Sequence, residues 1–295
     1  MKKHIGWIGT GLMGAPMALH LAKHYPVMVF NRTLEKANAL LPNVTVAESL
    51  SSLASHCDLI FTMLGMPEDV ESVYTQFLFP HANKGTIFVD LTTSSPALAK
   101  NLTLIASKQG FSMADAPVTG GVKGAKEGTL TTMVGADIST FNIIKPYLES
   151  FSKTLLFMGE PGKGQQTKLA NQIAIAGALV SLSEAIAFAE ANHLPTDKVL
   201  AMIQTGAASS YASMIYGPKM LASDDEATFF VKHYLKDLKL ALEASPIDLP
   251  VLKTVSSLMD ELAKRFPNKG VQAIIHTYRD LISRTTDTAT TEQTV

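Results

Sequence analysis

The feature that most narrows what this chain can become lies near its start. A short apolar run, His4–Ile8, leads directly into Gly9-Thr10-Gly11-Leu12-Met13-Gly14. Helical composition follows over residues 15–24, and Val27–Phe30 is a second apolar run. Strand, G-x-G-x-x-G turn, helix and strand in this order are the opening of a parallel βαβ unit that presents its turn to a dinucleotide. Gly9 serves the tight turn, Gly11 lets the backbone approach a pyrophosphate, and Gly14 lets helix and strand pack closely. The helix N-terminus adds amides and a positive dipole end that suit phosphate. Residues 9–14 are therefore assigned to cofactor binding.

The end of the second strand selects the cofactor. NAD-preferring folds carry Asp or Glu there for the ribose 2′-hydroxyl. This chain has Asn31-Arg32-Thr33. With no carboxylate at that position, Arg32 is free to stack on adenine and pair with a 2′-phosphate, and Asn31 and Thr33 offer hydrogen bonds. The expectation is NADP, with NAD as the alternative.

Leu59–Met63 and Ile87–Leu91 are further short apolar runs of the kind that form buried parallel strands. The loops after them begin at Leu64 and at Thr92-Thr93-Ser94-Ser95, at the strand ends where open α/β sheets bind ligands. Thr93 or Thr92 is placed to reach a nicotinamide ribose, whereas Ser94 and Ser95 equally suit capping the helix that starts at Pro96. Asp115-Ala116-Pro117-Val118-Thr119-Gly120-Gly121 follows. Its glycines expose consecutive amides beside a hydroxyl, a nest for a carboxylate, or else form a plain turn.

No proline occurs between Pro161 and Pro195, and the segment is rich in Ala, Leu, Gln and Glu. It reads as one long helix. Lys168 and Asn171, three apart on one face, are polar positions on an otherwise small and apolar segment. Lys168 either snorkels to solvent from the first turns or serves chemistry. Beyond it, Thr196–Thr205, Ala212–Leu221, Phe229–Ala244, Val251–Arg265 and Gly270–Arg284 read as helices, with no strand signal. The polar tail from Thr285 is expected to be disordered. The fold class is an α/β Rossmann-type N-terminal domain (residues 1–162), a long interdomain helix (163–194) and an all-α C-terminal domain (195–284).

Charge and cysteine usage exclude several classes. The 295 residues carry a formal net charge of −1, which gives nucleic acid or an acidic membrane surface nothing to grip. A single cysteine rules out an internal disulfide, and no Cys/His spacing resembles a metal site. The apolar run Ile173–Leu182 is shorter than the ~20 residues of a membrane span. A cytoplasmic protein is expected.

Four ordered motifs, IGWIGTGLMGAPMA, DAPVTGG, GKGQQTKLAN and Lys236-Asp237-Leu238-Lys239-Leu240-Ala241, resemble the β-hydroxyacid dehydrogenases. That family, similar to 6-phosphogluconate dehydrogenase, includes 3-hydroxyisobutyrate dehydrogenase and the glyoxylate/succinic semialdehyde and tartronate semialdehyde reductases. The resemblance covers nearly the whole chain. It implies Lys168 as catalytic acid/base and Asn171 as the residue that orients substrate. It implies Thr119, Gly120 and Gly121 as holders of the substrate carboxylate, and Thr93 and Lys236 as cofactor contacts. Two positions depart from the family pattern: Thr119 replaces a frequent serine, and Gln172 a frequent second asparagine. The expected partner is a small carboxylate-bearing substrate, and the expected assembly a homo-oligomer. NAD-linked 3-hydroxyisobutyrate dehydrogenase activity and a non-catalytic dinucleotide sensor are the alternatives.

Overall fold

A computed structural model describes residues 3–292. The chain falls into two compact units, Met1–Leu169 and Ala170–Val295.

The first unit is built on a sheet of nine strands: β1 (Ile5–Ile8), β2 (Val27–Phe30), β3 (Thr45–Val46), β4 (Leu59–Thr62), β5 (Ile87–Asp90), β6 (Ser112–Asp115), β7 (Val118–Thr119), β8 (Leu130–Gly135) and β9 (Ser152–Gly159). Their order is β3-β2-β1-β4-β5-β6-β8-β7, with β9 pairing β8. The strands from β3 to β6 are mutually parallel, β8 runs antiparallel to β6 and β7, and β9 is parallel to β8. Helices cover both faces, so both faces of the central strands must be apolar. Trp7, Phe61 and Val89 pack in one core, while Ile8, Ile60 and Phe88 pack in the other. This alternation follows the two-residue period of a strand. Strand order reverses at β1, whose neighbours are β2 and β4. That reversal opens the crevice in which doubly wound sheets bind ligands, and the glycine turn sits directly after β1.

The long helix runs from Lys163 to Ala191. Taken over its whole length it is long and apolar enough to cross a membrane, more than the run Ile173–Leu182 suggests. About half of its most apolar stretch is buried within the protein. Gln165, Lys168 and Gln172 are also buried, at helical spacing along it. Polar side chains buried at that spacing mark a core helix of a folded domain.

The second unit is helical among the described residues. Thr196–Thr205 forms as expected, and Ala212–Leu221 forms as a π-helical turn that passes into α-helix. Val231–Ala244 and Pro250–Arg265 follow. The last helix, Ile275–Glu292, extends into the tail that begins at Thr285. Residues 293–295 of that tail lie outside the described residues.

Candidate active site

The glycine turn is held by its surroundings. Gly9 has φ +96°, a left-handed conformation that side chains disfavour. A Cβ on Gly9 would overlap Met63 O, and one on Gly14 would overlap Gly9 O. The indole of Trp7, buried in the core, donates to Gly9 O at 3.0 Å. Gly11 differs, because a Cβ there would meet nothing within 4 Å. The helix that follows, Gly14–Ala22, has no side-chain cap, and the buried Thr10 Oγ1 has no protein partner. Open space over Gly11, an uncapped helix start and an orphaned hydroxyl together fit a dinucleotide pyrophosphate. Gly14→Ala is expected to weaken dinucleotide binding by roughly 10–100-fold, the consequence of ~1–3 kcal/mol of overpacking. A fluorescence titration with the reduced dinucleotide would read this directly.

Asn31 ties that turn to the end of β2. Its side-chain carbonyl accepts from Thr10 N at 2.9 Å, and its amide donates to Thr33 O at 2.9 Å. Arg32 is fully out in solvent, and its guanidinium lies 3.9 Å from Asp69 Oδ1. The end of β2 itself carries no carboxylate, but one approaches Arg32 from another element. Asp69 comes from the helix after β4, Pro67–Ser72, which a reading confined to the end of β2 does not reach.

The two loops after β4 and β5 are joined by Thr92. Its hydroxyl accepts from Leu64 N at 2.9 Å, and its own amide donates to Asp90 Oδ1 at 3.1 Å. Thr92 is 1% exposed and serves the loop itself, whereas Thr93 is half-buried. Ser95 caps Pro96–Lys108, accepting from Ala97 N and Leu98 N. Ser94 does not cap; its amide donates to Gln165 Oε1 at 2.9 Å.

The start of the long helix is held by a residue that motif reading left without a role. Asp115 ends β6 and is buried. Its carboxylate accepts from Gly162 N at 2.6 Å and from Gln165 N at 2.7 Å, the task of an N-cap delivered from a distant strand. The glycines of the GKG sequence make this approach possible, since a Cβ on Gly164 would stand 2.6 Å from Asp115 O. Burial raises the Asp115 pKa against the pull of its two amide bonds, and the nearby charge of Asp90 adds to the rise, bringing it to about 6. One turn beyond Gln165 is Lys168, 7% exposed. Its side chain is buried and does not lie out in solvent as a snorkelling lysine would.

Thr119 ends β7, and Gly120 and Gly121 follow at φ +124° and +64°. Only glycine adopts such a pair readily.

In the second unit, Asn171 and Lys236 are linked through two residues between them. Asn171 Nδ2 donates to Gln172 Oε1 at 3.1 Å, and Gln172 Nε2 donates to Asp237 Oδ2 at 2.7 Å. Asp237 Oδ1 lies 3.0 Å from Lys236 Nζ, close enough for an ion pair although not aligned as a hydrogen bond. The Tyr234 hydroxyl donates to Gln172 O at 3.4 Å. Gln172 therefore does not merely replace an asparagine. Its extra methylene reaches the buried Asp237.

Residues 4–159 match a family described as the NAD binding domain of 6-phosphogluconate dehydrogenase. Residues 162–278 match one described as NAD-binding of NADP-dependent 3-hydroxyisobutyrate dehydrogenase. The uncharacterized oxidoreductase YkwC of Bacillus subtilis is 39% identical, over 93% of this chain and 98% of its own. Among solved structures, Mycobacterium tuberculosis 3-hydroxyisobutyrate dehydrogenase with L-serine is 28% identical. It superposes with a TM-score of 0.85, covering 95% of this chain and 100% of its own. Psf3 in complex with NADP+ and 2-OPP is 26% identical, with a TM-score of 0.87, over 92% and 99% of the two chains.

Proposed function

The chain belongs to the β-hydroxyacid dehydrogenase family and is an NAD(P)-dependent dehydrogenase, and on that premise we propose that it reduces a small aldehyde acid with NADPH, or oxidises the matching hydroxy acid with NADP+. The dinucleotide supplies or accepts the hydride when bound. The turn Gly9–Gly14 receives its pyrophosphate. Asn31, Arg32 and Thr33 receive the adenosine end, and Leu64, Thr93 and Lys236 flank the rest. Thr119, Gly120 and Gly121 hold the substrate carboxylate on backbone amides. Asn171 orients the substrate oxygen, and Lys168 gives that oxygen a proton in reduction or takes it in oxidation. The observation that carries this reading is Lys168 itself, a buried lysine on a helix whose start is bonded to Asp115. The dehydrogenase relatives give the non-catalytic sensor no support.

One observation favours NAD as a second reading. Asp69, 3.9 Å from Arg32, competes with a 2′-phosphate for the guanidinium. The test follows absorbance of NADPH, with NADH in parallel, in the presence of glyoxylate, succinic semialdehyde or tartronate semialdehyde. Faster consumption of NADPH supports the first reading, faster consumption of NADH the second, and no consumption with any of the three sinks the substrate class. Arg32→Ala is expected to lower NADPH affinity about tenfold, the worth of a charge-assisted bond at an exposed position, and NADH affinity less, since NADH loses only the stacking on adenine. Asp69→Asn is expected to shift NADPH affinity the opposite way.

Two further assignments belong with this proposal. A cytoplasmic location is supported by the use of a single cysteine, Cys57, which leaves no internal disulfide. A homo-oligomer is supported by the exposed Ile247 and Val251, the latter lining an apolar groove with Ile173, Ala176 and Gly177.

A further inference from the structure

We propose that Gln165 is a positioning residue that locks the helix carrying Lys168 to both cofactor loops, an assignment that rests on the reading of Lys168, Leu64 and Thr93 given above. Gln165 is 0% exposed. Its side-chain amide uses both ends on the loop after β5: Nε2 donates to Thr92 O at 2.7 Å, and Oε1 accepts from Ser94 N at 2.9 Å. These two residues flank Thr93, so one primary amide brackets the residue assigned to the nicotinamide ribose.

The chain of bonds goes on in both directions. Thr92 Oγ1 holds Leu64 N at 2.9 Å, which brings in the loop after β4. In the other direction, the Gln165 backbone amide is held by Asp115 at 2.7 Å. Lys168 lies three residues further along, on the same face of the helix. Thr93, Leu64 and the start of the Lys168 helix therefore share one set of buried, paired polar groups, the arrangement that holds a reacting geometry within fractions of an ångström.

The bracket needs a donor and an acceptor in a fixed fork, which a glutamine amide has and a carboxylate or an apolar side chain lacks. Two substitutions of nearly the same shape separate this role from simple filling of space. Gln165→Met keeps the volume and loses both bonds. Gln165→Glu keeps the shape but sets a charged oxygen against the Thr92 carbonyl. When the new carboxyl is protonated, its O–H donates to Thr92 O and its other oxygen accepts from Ser94 N.

The experiment uses the full chain and whichever of the three aldehyde acids the wild type turns over fastest. Gln165→Met is expected to lower kcat by roughly 10–100-fold, to change substrate KM by less than about threefold, and to weaken NADPH binding in a fluorescence titration. Gln165→Glu is expected to regain activity relative to wild type as pH falls. Asp115 and Asp90 face the same bonds, and Lys168 lies one turn along the helix, in both proteins, so the ratio to wild type reports the new carboxyl. A Gln165→Met protein with wild-type kcat and NADPH affinity, or a Gln165→Glu ratio that stays flat with pH, overturns the proposal. If Gln165→Met fails to fold, the pH ratio of Gln165→Glu decides alone. Inactivity of the wild type overturns the underlying functional reading instead, and the NADPH titration of the variants still tests the bracket on the cofactor loops.

Discussion

Replacing Lys168 with alanine is expected to lower turnover by about 10²–10⁴-fold, the range for a positioned acid or base, while NADPH affinity stays close to wild type. The argument starts from burial. A lysine that is 7% exposed occupies an environment that lysines rarely enter unless they are paired, and buried ionisable groups cluster at functional sites. Its helix is anchored by Asp115 through Gly162 N and Gln165 N, so the amine has little freedom to leave the position it is given. On the proposed reading, its loss takes the proton donor from the oxygen that becomes negative in reduction.

Lys168→Arg separates two roles. It keeps the positive charge, but a guanidinium does not give up its proton near neutral pH. If Lys168 transfers a proton, arginine leaves turnover nearly as low as alanine does. If Lys168 only stabilises negative charge, arginine restores much of the rate. Steady-state rates for the three proteins, with NADPH binding measured separately, decide between them. Near-normal turnover of the alanine protein removes Lys168 from the mechanism.

The second large effect is on stability. Asp115→Ala leaves the buried amides of Gly162 and Gln165 without their acceptor, at ~1–3 kcal/mol for each unsatisfied group. A loss of about 2–4 kcal/mol is expected once relief of the buried charge is counted. Trp7 is the only tryptophan in the chain and lies buried in the first unit, so its fluorescence during denaturant unfolding reports that unit.

The same carboxyl makes the difference depend on pH. Its pKa rises from 3.8 to about 6 on folding, chiefly through burial. A group raised in the folded state favours folding most when protonated, so its contribution is full below pH 3.8 and is lost as pH rises through about 6. At ~1.4 kcal/mol per pH unit, this amounts to ~3 kcal/mol. Wild-type stability minus that of Asp115→Ala is expected to fall across that window. A flat difference would mean that Asp115 is not raised by folding. Turnover of the variant should also fall, roughly 10²-fold, because the start of the Lys168 helix is no longer held.

Several of these features were legible in the chain itself. The glycine turn, the strands that alternate with helices around it and the long proline-free helix are local properties. They depend on backbone space, on short apolar runs and on helical spacing, which neighbouring residues set among themselves. The resemblance carried by DAPVTGG and GKGQQTKLAN then pointed to Lys168, Asn171 and Thr119.

Other features could not be read that way. Asp115 stands inside one of those motifs, yet nothing local shows that it accepts from Gly162 N, 47 residues later, at the start of a helix. Gln165 meets Thr92 across 73 residues, and Gln172 meets Asp237 across 65. In each case the signal is a polar residue beside a recognised one, and its partner is unknown until the chain is folded. Arg32 is a similar case, since its neighbour Asp69 belongs to the helix after a different strand.

The sequence by itself determined that the chain opens with a dinucleotide-binding turn on a parallel sheet and continues as helices, because those outcomes follow from short-range sterics and periodicity. Only the tertiary structure decided that Lys168 is buried, that Asp115 anchors its helix and that one glutamine amide brackets Thr93. These outcomes depend on which distant groups share a dry interior, where each buried polar atom must find a partner and where packing, not local preference, selects which one.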